Sequence, residues 1–344
     1  MPASCSVALS AHAFSTPYKI GIIRDHSGNT RASTRLSSTV TSAPSLATLD
    51  HLLASEEDKQ REAMDLAKNL KIQGVLRAYG SGRQVPKRSY TVEELRLNKI
   101  QTTSLLSPED KSLKRVRSGM QAAFLSGLAA LALTSSSPGE HVVAAVAATC
   151  FVLVIDQIVN SGGGESLVVD TLGRLLLPGT YKRRVALHEA GHFLTAYLLG
   201  LLPRAYTLSA WDAYARYRTL NLQAGTQFCD IDFSAEVATG RLSSASLDTY
   251  TCVALAGVIT EAERFGQAEG GVGDVAGLDA LLRALGFSQA KSDDQVRWAV
   301  LNVCTLLRRH EAVHDALADA MDRGAPISEC IALIEQRLAK CEDV

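Results

Sequence analysis

Two stretches of the sequence carry the same chemistry-bearing pattern. "VALHEAGHFL" at 185–194 and "RRHEAVHDAL" at 308–317 each place two histidines four apart, with a glutamate after the first. On a helix, positions i and i+4 share a face one turn apart. Two imidazoles so placed, His188 with His192 or His310 with His314, can both reach one Zn²⁺ at ~2.0–2.1 Å. The glutamate lies beside the metal without ligating it, where it can take a proton from a metal-bound water. Neutral imidazole suits Zn²⁺, and a carboxylate suits general-base work.

Five letters recur by chance in many helices, so the flanks decide. A zinc helix packed inside a core needs uncharged neighbours. Val185, Ala186, Leu187, Ala190, Gly191, Phe193 and Leu194 supply them around the first motif, and Gly191 admits a close neighbour. Around the second, Arg308 and Arg309 precede His310, and Asp315 follows His314. With Val300, Leu301, Val303, Cys304, Leu307 and Val313 as its core face, that helix is expected to turn His310, Glu311 and His314 to solvent. The first motif is therefore read as the metal site, with His188 and His192 as ligands and Glu189 as the base.

Two histidines and a water leave one position open on tetrahedral zinc, to be filled by a carboxylate from a distant segment. Glu261, Glu263, Glu269, Asp274 and Asp279 are the downstream candidates. Asp274, after "EGGVG" and before "VAGLDALLRAL", serves equally well as a helix cap. Glu261 is expected to make a structural hydrogen bond or to face solvent.

At this point the sequence resembles a known family. "VALHEAGHFL" is similar to the zinc helix of FtsH-type metalloproteases, and "LAGVITEAERFG" at 255–266 resembles that family's L-A-G-x-x-x-E-x-x-x-F-G helix. "GGVGDV" then matches the segment where the family keeps an aspartate ligand. The resemblance covers roughly residues 180–290 and implies a mainly helical peptidase domain, a Zn²⁺ cofactor, Asp274 as third ligand, and protein or peptide substrates. The family's ATPase domain is missing: no G-x-x-x-x-G-K-[ST] phosphate loop occurs. The plan resembles plant plastid proteins that keep the peptidase part alone behind a hydrophobic segment.

The rest of the chain must position these residues. Residues 1–48 are rich in Ser and Thr, with four basic residues (Lys19, Arg24, Arg31, Arg35) and one acid, Asp25. This composition predicts a targeting peptide, plastid rather than mitochondrial because arginine is absent before Arg24; the alternative is a disordered tail. Residues 49–116 form an expected helical adaptor, in which Thr91 and Glu94 have capping-box spacing. Residues 117–160 hold two apolar stretches separated by "SSSPGE". A membrane hairpin or shallow re-entrant pair is expected there, with a hairpin buried in a soluble core as the alternative. Lys111, Lys114, Arg115 and Arg117 precede it and would keep both flanks on the stromal side. "NSGGGES" at 160–166 is an expected flexible break before a peptidase domain at 165–344. Within that domain "RAYTLSA" and "AGTQFCD" predict two short strands on either side of a Tyr-rich loop.

The expected fold is thus mainly α, a helical zinc-peptidase domain of FtsH type with a small β element, preceded by a hydrophobic helical hairpin. A formal net charge of -1 gives no electrostatic case for nucleic acid. Seven scattered cysteines, none in a C-x-x-C pair, read as reduced thiols. The function expected is a membrane-associated, ATP-independent zinc endopeptidase of the chloroplast that acts on flexible or unfolded protein. A separate ATPase partner or an oligomer would be needed for folded substrates. The alternative is a catalytically silent scaffold or assembly factor of plastid membranes.

Overall fold

The structure is a computed structural model that describes residues 46–53, 59–101, 105, 107–160, 162–177, 179–218 and 224–339. The expected targeting peptide lies, up to residue 45, outside the described residues. The described residues are mainly helical, with one two-stranded sheet and two long apolar helices among them.

The N-terminal part comprises α1 (Leu46–Leu53), α2 (Gln60–Ile72) and α3 (Val92–Leu97). The capping box forms as expected at α3: the Thr91 hydroxyl accepts from the Glu94 N–H, and the Glu94 carboxylate accepts from the Thr91 N–H. Next come α4 (Lys111–Thr134) and α5 (Pro138–Asn160), antiparallel and in contact, with Pro138 at the first position of α5. Both exceed the ~20 residues that cross a bilayer. Leu125, Leu133, Val143, Phe151 and Val152 are exposed, so the hairpin is not the buried core element of the alternative reading. Beyond α5 the Asp156 carboxylate accepts the N–H groups of Gly164 and Glu165 at the start of the next helix.

After α6 (Gly163–Leu176) comes α7 (Thr180–Leu199), which carries the first motif. Every residue from Ala186 to Leu198 is buried, consistent with a helix enclosed on all sides. The helix ends at Gly200, whose φ of 86° favours glycine. Strands β1 (Pro203–Thr207) and β2 (Gly225–Phe228) pair antiparallel, Tyr206 opposite Thr226, as the two strand-like stretches predict. The Tyr-rich stretch between them is not a loop. It contains α8 (Ala210–Tyr217), started by the Ser209 hydroxyl accepting from Asp212 N–H and anchored by buried Ala210 and Ala213.

The remaining helices are α9 (Ile231–Ala238), α10 (Ser244–Phe265), α11 (Val272–Ala284), α12 (Gln289–Arg309), α13 (Glu311–Asp322) and α14 (Ile327–Leu338). The central pair is α7 against α10, flanked by α12 on α10 and α13 on α7. Leu49, Leu70, Leu76, Leu95 and Ile100 join the same core as Leu194, Leu198 and Ile334.

Candidate metal centre

The α7–α10 contact builds the site because it lacks side chains where the helices meet. A Cβ at Gly191 would stand 2.2 Å from Thr260 Oγ1, and one at Gly257 would stand 2.2 Å from His188 Nε2. Glycine at both positions lets α10 lie directly against the histidine face of α7.

Each imidazole is then oriented through Nδ1. His188 Nδ1 lies 2.7 Å from Glu261 Oε1, and His192 Nδ1 lies 2.7 Å from the carbonyl oxygen of Val253. A carbonyl can only accept, so His192 Nδ1 carries the proton. Glu261 is an ionised acceptor. Its burial would raise its pKa, but His188, the Glu269 N–H and Arg184 outweigh burial and hold it down at about 2. Both Nε2 atoms therefore point inward, 3.0 Å apart. Asp274 Oδ2 lies 3.3 Å from His188 Nε2 and 3.4 Å from His192 Nε2.

With both Nδ1 atoms engaged, the two Nε2 atoms and a carboxylate oxygen converge on one point, an arrangement that could hold a cation. The donor set fits a metal ion. Ligands at 2.0–2.1 Å from a tetrahedral ion lie roughly 3.3 Å from one another, close to the three separations found. His188, His192 and Asp274 could hold a metal ion, their ligand atoms all within 4.8 Å of one another. The same carboxylates govern the protons. Burial depresses the His188 pKa, but Asp274 and Glu261 outweigh it and hold that pKa well above the ordinary value. Burial would raise the Asp274 pKa, but the two imidazoles keep it below the usual carboxylate range.

Asp274 reaches the centre from the first turn of α11, whose N-cap is Gly271, so it is not the cap of that helix. Gly271 has φ 84°, and a Cβ there would strike Val258 Cγ2 at 2.3 Å. The other carboxylate candidates are engaged elsewhere: Glu263 with Arg308, Glu269 with Ser112 N–H and Arg184, and Asp279 with Arg283.

Glu189 points to the side, buried, with its Oε2 accepting from Thr226 Oγ1 at 2.9 Å. Burial pushes its pKa up, with His188 and His192 opposing. Glu189, the two histidines and Asp274 all line one cleft of about 540 Å³.

The second motif departs from the solvent-facing helix expected of it. His310 and His314 are buried, and Glu311 is exposed and paired with Arg264. The cause is a helix break: α12 ends at Arg309 and α13 starts at Glu311, with His310 between them. Arg308 and Arg309 therefore belong to one helix and His314 to the next, with His310 at the junction. His314 Nε2 lies 2.8 Å from the Leu187 carbonyl, so it is spent on bracing α7.

Glu261 is buried and orients His188, and Thr226 and the Val253 carbonyl hold Glu189 and His192. Of these partners, Glu261 had a sequence signal: it lies four residues after Gly257 and thus on the same helical face. Thr226 and Val253 carry no such signal. No protein-family model, curated protein or solved structure matches the chain.

Proposed function

We propose that this chain is a zinc metalloendopeptidase of FtsH type without the ATPase module, anchored in a plastid membrane by α4 and α5. The observation that carries the reading is the convergence of His188 Nε2, His192 Nε2 and Asp274 Oδ2, with Glu189 beside them in one cleft. His188, His192 and Asp274 would hold the ion, which supplies Lewis acidity toward water and the peptide carbonyl. Glu189 acts as the base. Thr226 fixes Oε2, and Oε1 takes a proton from water as its oxygen bonds to the peptide carbon. The same carboxyl then returns that proton to the nitrogen as the C–N bond breaks. Burial suits Glu189 to this exchange, since a carboxylate with a raised pKa is the stronger base. These residues hold no phosphate loop, and the substrates we propose for them are flexible or unfolded protein segments that need no unfolding step. The acid-poor, Ser/Thr-rich N-terminal 48 residues support a chloroplast location, and the basic residues before α4 support a stromal peptidase.

The test is metal content and casein cleavage. Wild-type protein is expected to hold one zinc per chain, lost in His188→Ala. Glu189→Gln is expected to keep the zinc and lose ~10²–10⁴ in rate. Equal cleavage by wild type and Glu189→Gln across several unstructured substrates overturns the peptidase reading and leaves the silent scaffold.

A further inference from the structure

Resting on the peptidase reading above, we infer that the cleft opens at the lipid–water interface and takes juxtamembrane segments of membrane-anchored polypeptides. The roots of both hairpin helices are walls of the cleft. Asp110, Leu113 and Arg117 at the start of α4, and Ser166 and Val169 on α6, line the same space as Glu189 and Asp274. The uncharged stretch that ends at Gly139 begins at Ser118, the residue after Arg117. On the return side α5 ends at Asn160, and Ser166 follows within the next helix. A bilayer around α4 and α5 therefore meets the chain where the cleft begins.

The hairpin root is also fastened to the site. Glu109 N–H donates to the Ala268 carbonyl at 3.2 Å, and Ser112 N–H donates to Glu269 at 3.1 Å, both in the segment leading to Asp274. Arg117 Nε donates to Glu165 on α6 at 3.0 Å. The cleft cannot swing away from the membrane without breaking these bonds.

A third observation is the apolar rim. Val168, Leu175 and Leu176 share the outer face of α6, 46%, 72% and 62% exposed. Trp211 on α8 is 58% exposed, and its neighbour Ala210 lines the cleft. These side chains add exposed apolar surface to two helices that line the cleft. An exposed Trp beside such a surface suits the headgroup layer.

The placement also accounts for a peptidase with no unfolding module. A segment leaving the bilayer is extended at its root, and tethering in the membrane raises its effective concentration to the mM range. An extended chain advances about 3.3 Å per residue, so a segment entering at the rim is cut close to its membrane anchor.

The test uses the full chain in liposomes. One substrate is a flexible polypeptide of repeated sequence anchored by a single apolar transmembrane helix; the other is the same polypeptide free in solution. Cuts are expected to cluster in the repeats next to the anchor although identical bonds lie further out. The anchored form is expected to react on the order of 10²-fold faster. Cuts spread evenly along the repeat, or equal rates for both forms, with Glu189→Gln inactive, overturn the interfacial placement and leave the peptidase reading standing. Equal products from wild type and Glu189→Gln overturn both. A readout independent of catalysis comes from the two tryptophans, Trp211 and buried Trp298. Headgroup spin-labelled lipids are expected to quench wild-type fluorescence and to leave Trp211→Phe unquenched. No difference between the two overturns the placement.

Discussion

Single residues separate ligand from scaffold here. Asp274 and Asp279 lie on one helix, but only Asp274 reaches the histidines; Asp279 pairs with Arg283. Asp274→Asn keeps the shape and loses the charge that the metal requires. It is expected to lower zinc affinity at least ~10-fold in a chelator competition, while Asp279→Asn leaves affinity unchanged. The second motif makes a different prediction. Burial, offset in part by the Leu187 carbonyl and Asp315, pushes His314 down to about 4. Its folded pKa thus lies below its unfolded value, so the unfolded chain binds more protons between about pH 6.5 and 4. The stability that neutral His314 provides is full above that window and is lost as pH falls through it. His314→Gln keeps an N–H for Leu187 and cannot titrate, so the fall in Tm from pH 6.5 to 4 is expected to be shallower than in wild type. The flanking charges predicted a solvent-facing second motif, but a backbone break that five letters do not reveal buries its histidines instead. Arg309 and Glu311 fall on different helices, which is why His310 and His314 point inward despite polar neighbours.

At the scale of elements, the site depends on how closely α7 and α10 approach. Gly191→Ala ordinarily gains up to about 1 kcal/mol of helix propensity. Here the new Cβ would stand 2.2 Å from Thr260 Oγ1, and overpacking of this kind costs about 1–3 kcal/mol. Gly191→Ala is expected to lower Tm by several degrees, and Gly191→Ala with Thr260→Ala to recover most of the loss. A single substitution that leaves Tm unchanged would show that the helices part without cost. Elements with local signals were legible beforehand: the Thr91–Glu94 cap, the two strand-like stretches and the paired apolar helices. The helix at Ala210–Tyr217 was not. Its alanines are anchored by contacts with other elements, and the Asp170 carboxylate that accepts the Ala210 N–H is forty residues away. The α7–α10 junction was only half legible. Gly191 announced a close neighbour without naming it, because the pairing with Thr260 spans two elements.

The whole molecule has one core that the motif-bearing part does not complete alone. Segment 76–85 closes the far end of α7: Gly80 N–H donates to the Tyr197 carbonyl at 3.0 Å and Gly82 N–H to Leu198 at 2.8 Å. Tyr79 Oη donates to the Gly200 carbonyl at 2.8 Å. Behind them, the N–H groups of Arg77 and Ala78 and the hydroxyl of Tyr197 all donate to the Glu335 carboxylate on α14. None of this could be read from residues 49–100, whose apolar spacing shows helices but not the helix ends that they cover. A fragment that begins at residue 107 keeps every proposed ligand, yet it loses Leu49, Leu70, Leu76, Leu95 and Ile100 from the core. Burial of each such side chain contributes ~1.5–3 kcal/mol, against a typical total stability of ~5–15 kcal/mol. It also leaves the Glu335 carboxylate without the Arg77 and Ala78 N–H donors and Leu198 uncovered at the base of the metal helix. The fragment is therefore expected to show no cooperative thermal transition and no stoichiometric zinc, although His188, Glu189, His192 and Asp274 are all present. A fragment that melts cooperatively and binds zinc as tightly as the full chain would establish residues 107–344 as a self-sufficient unit and the N-terminal helices as an accessory.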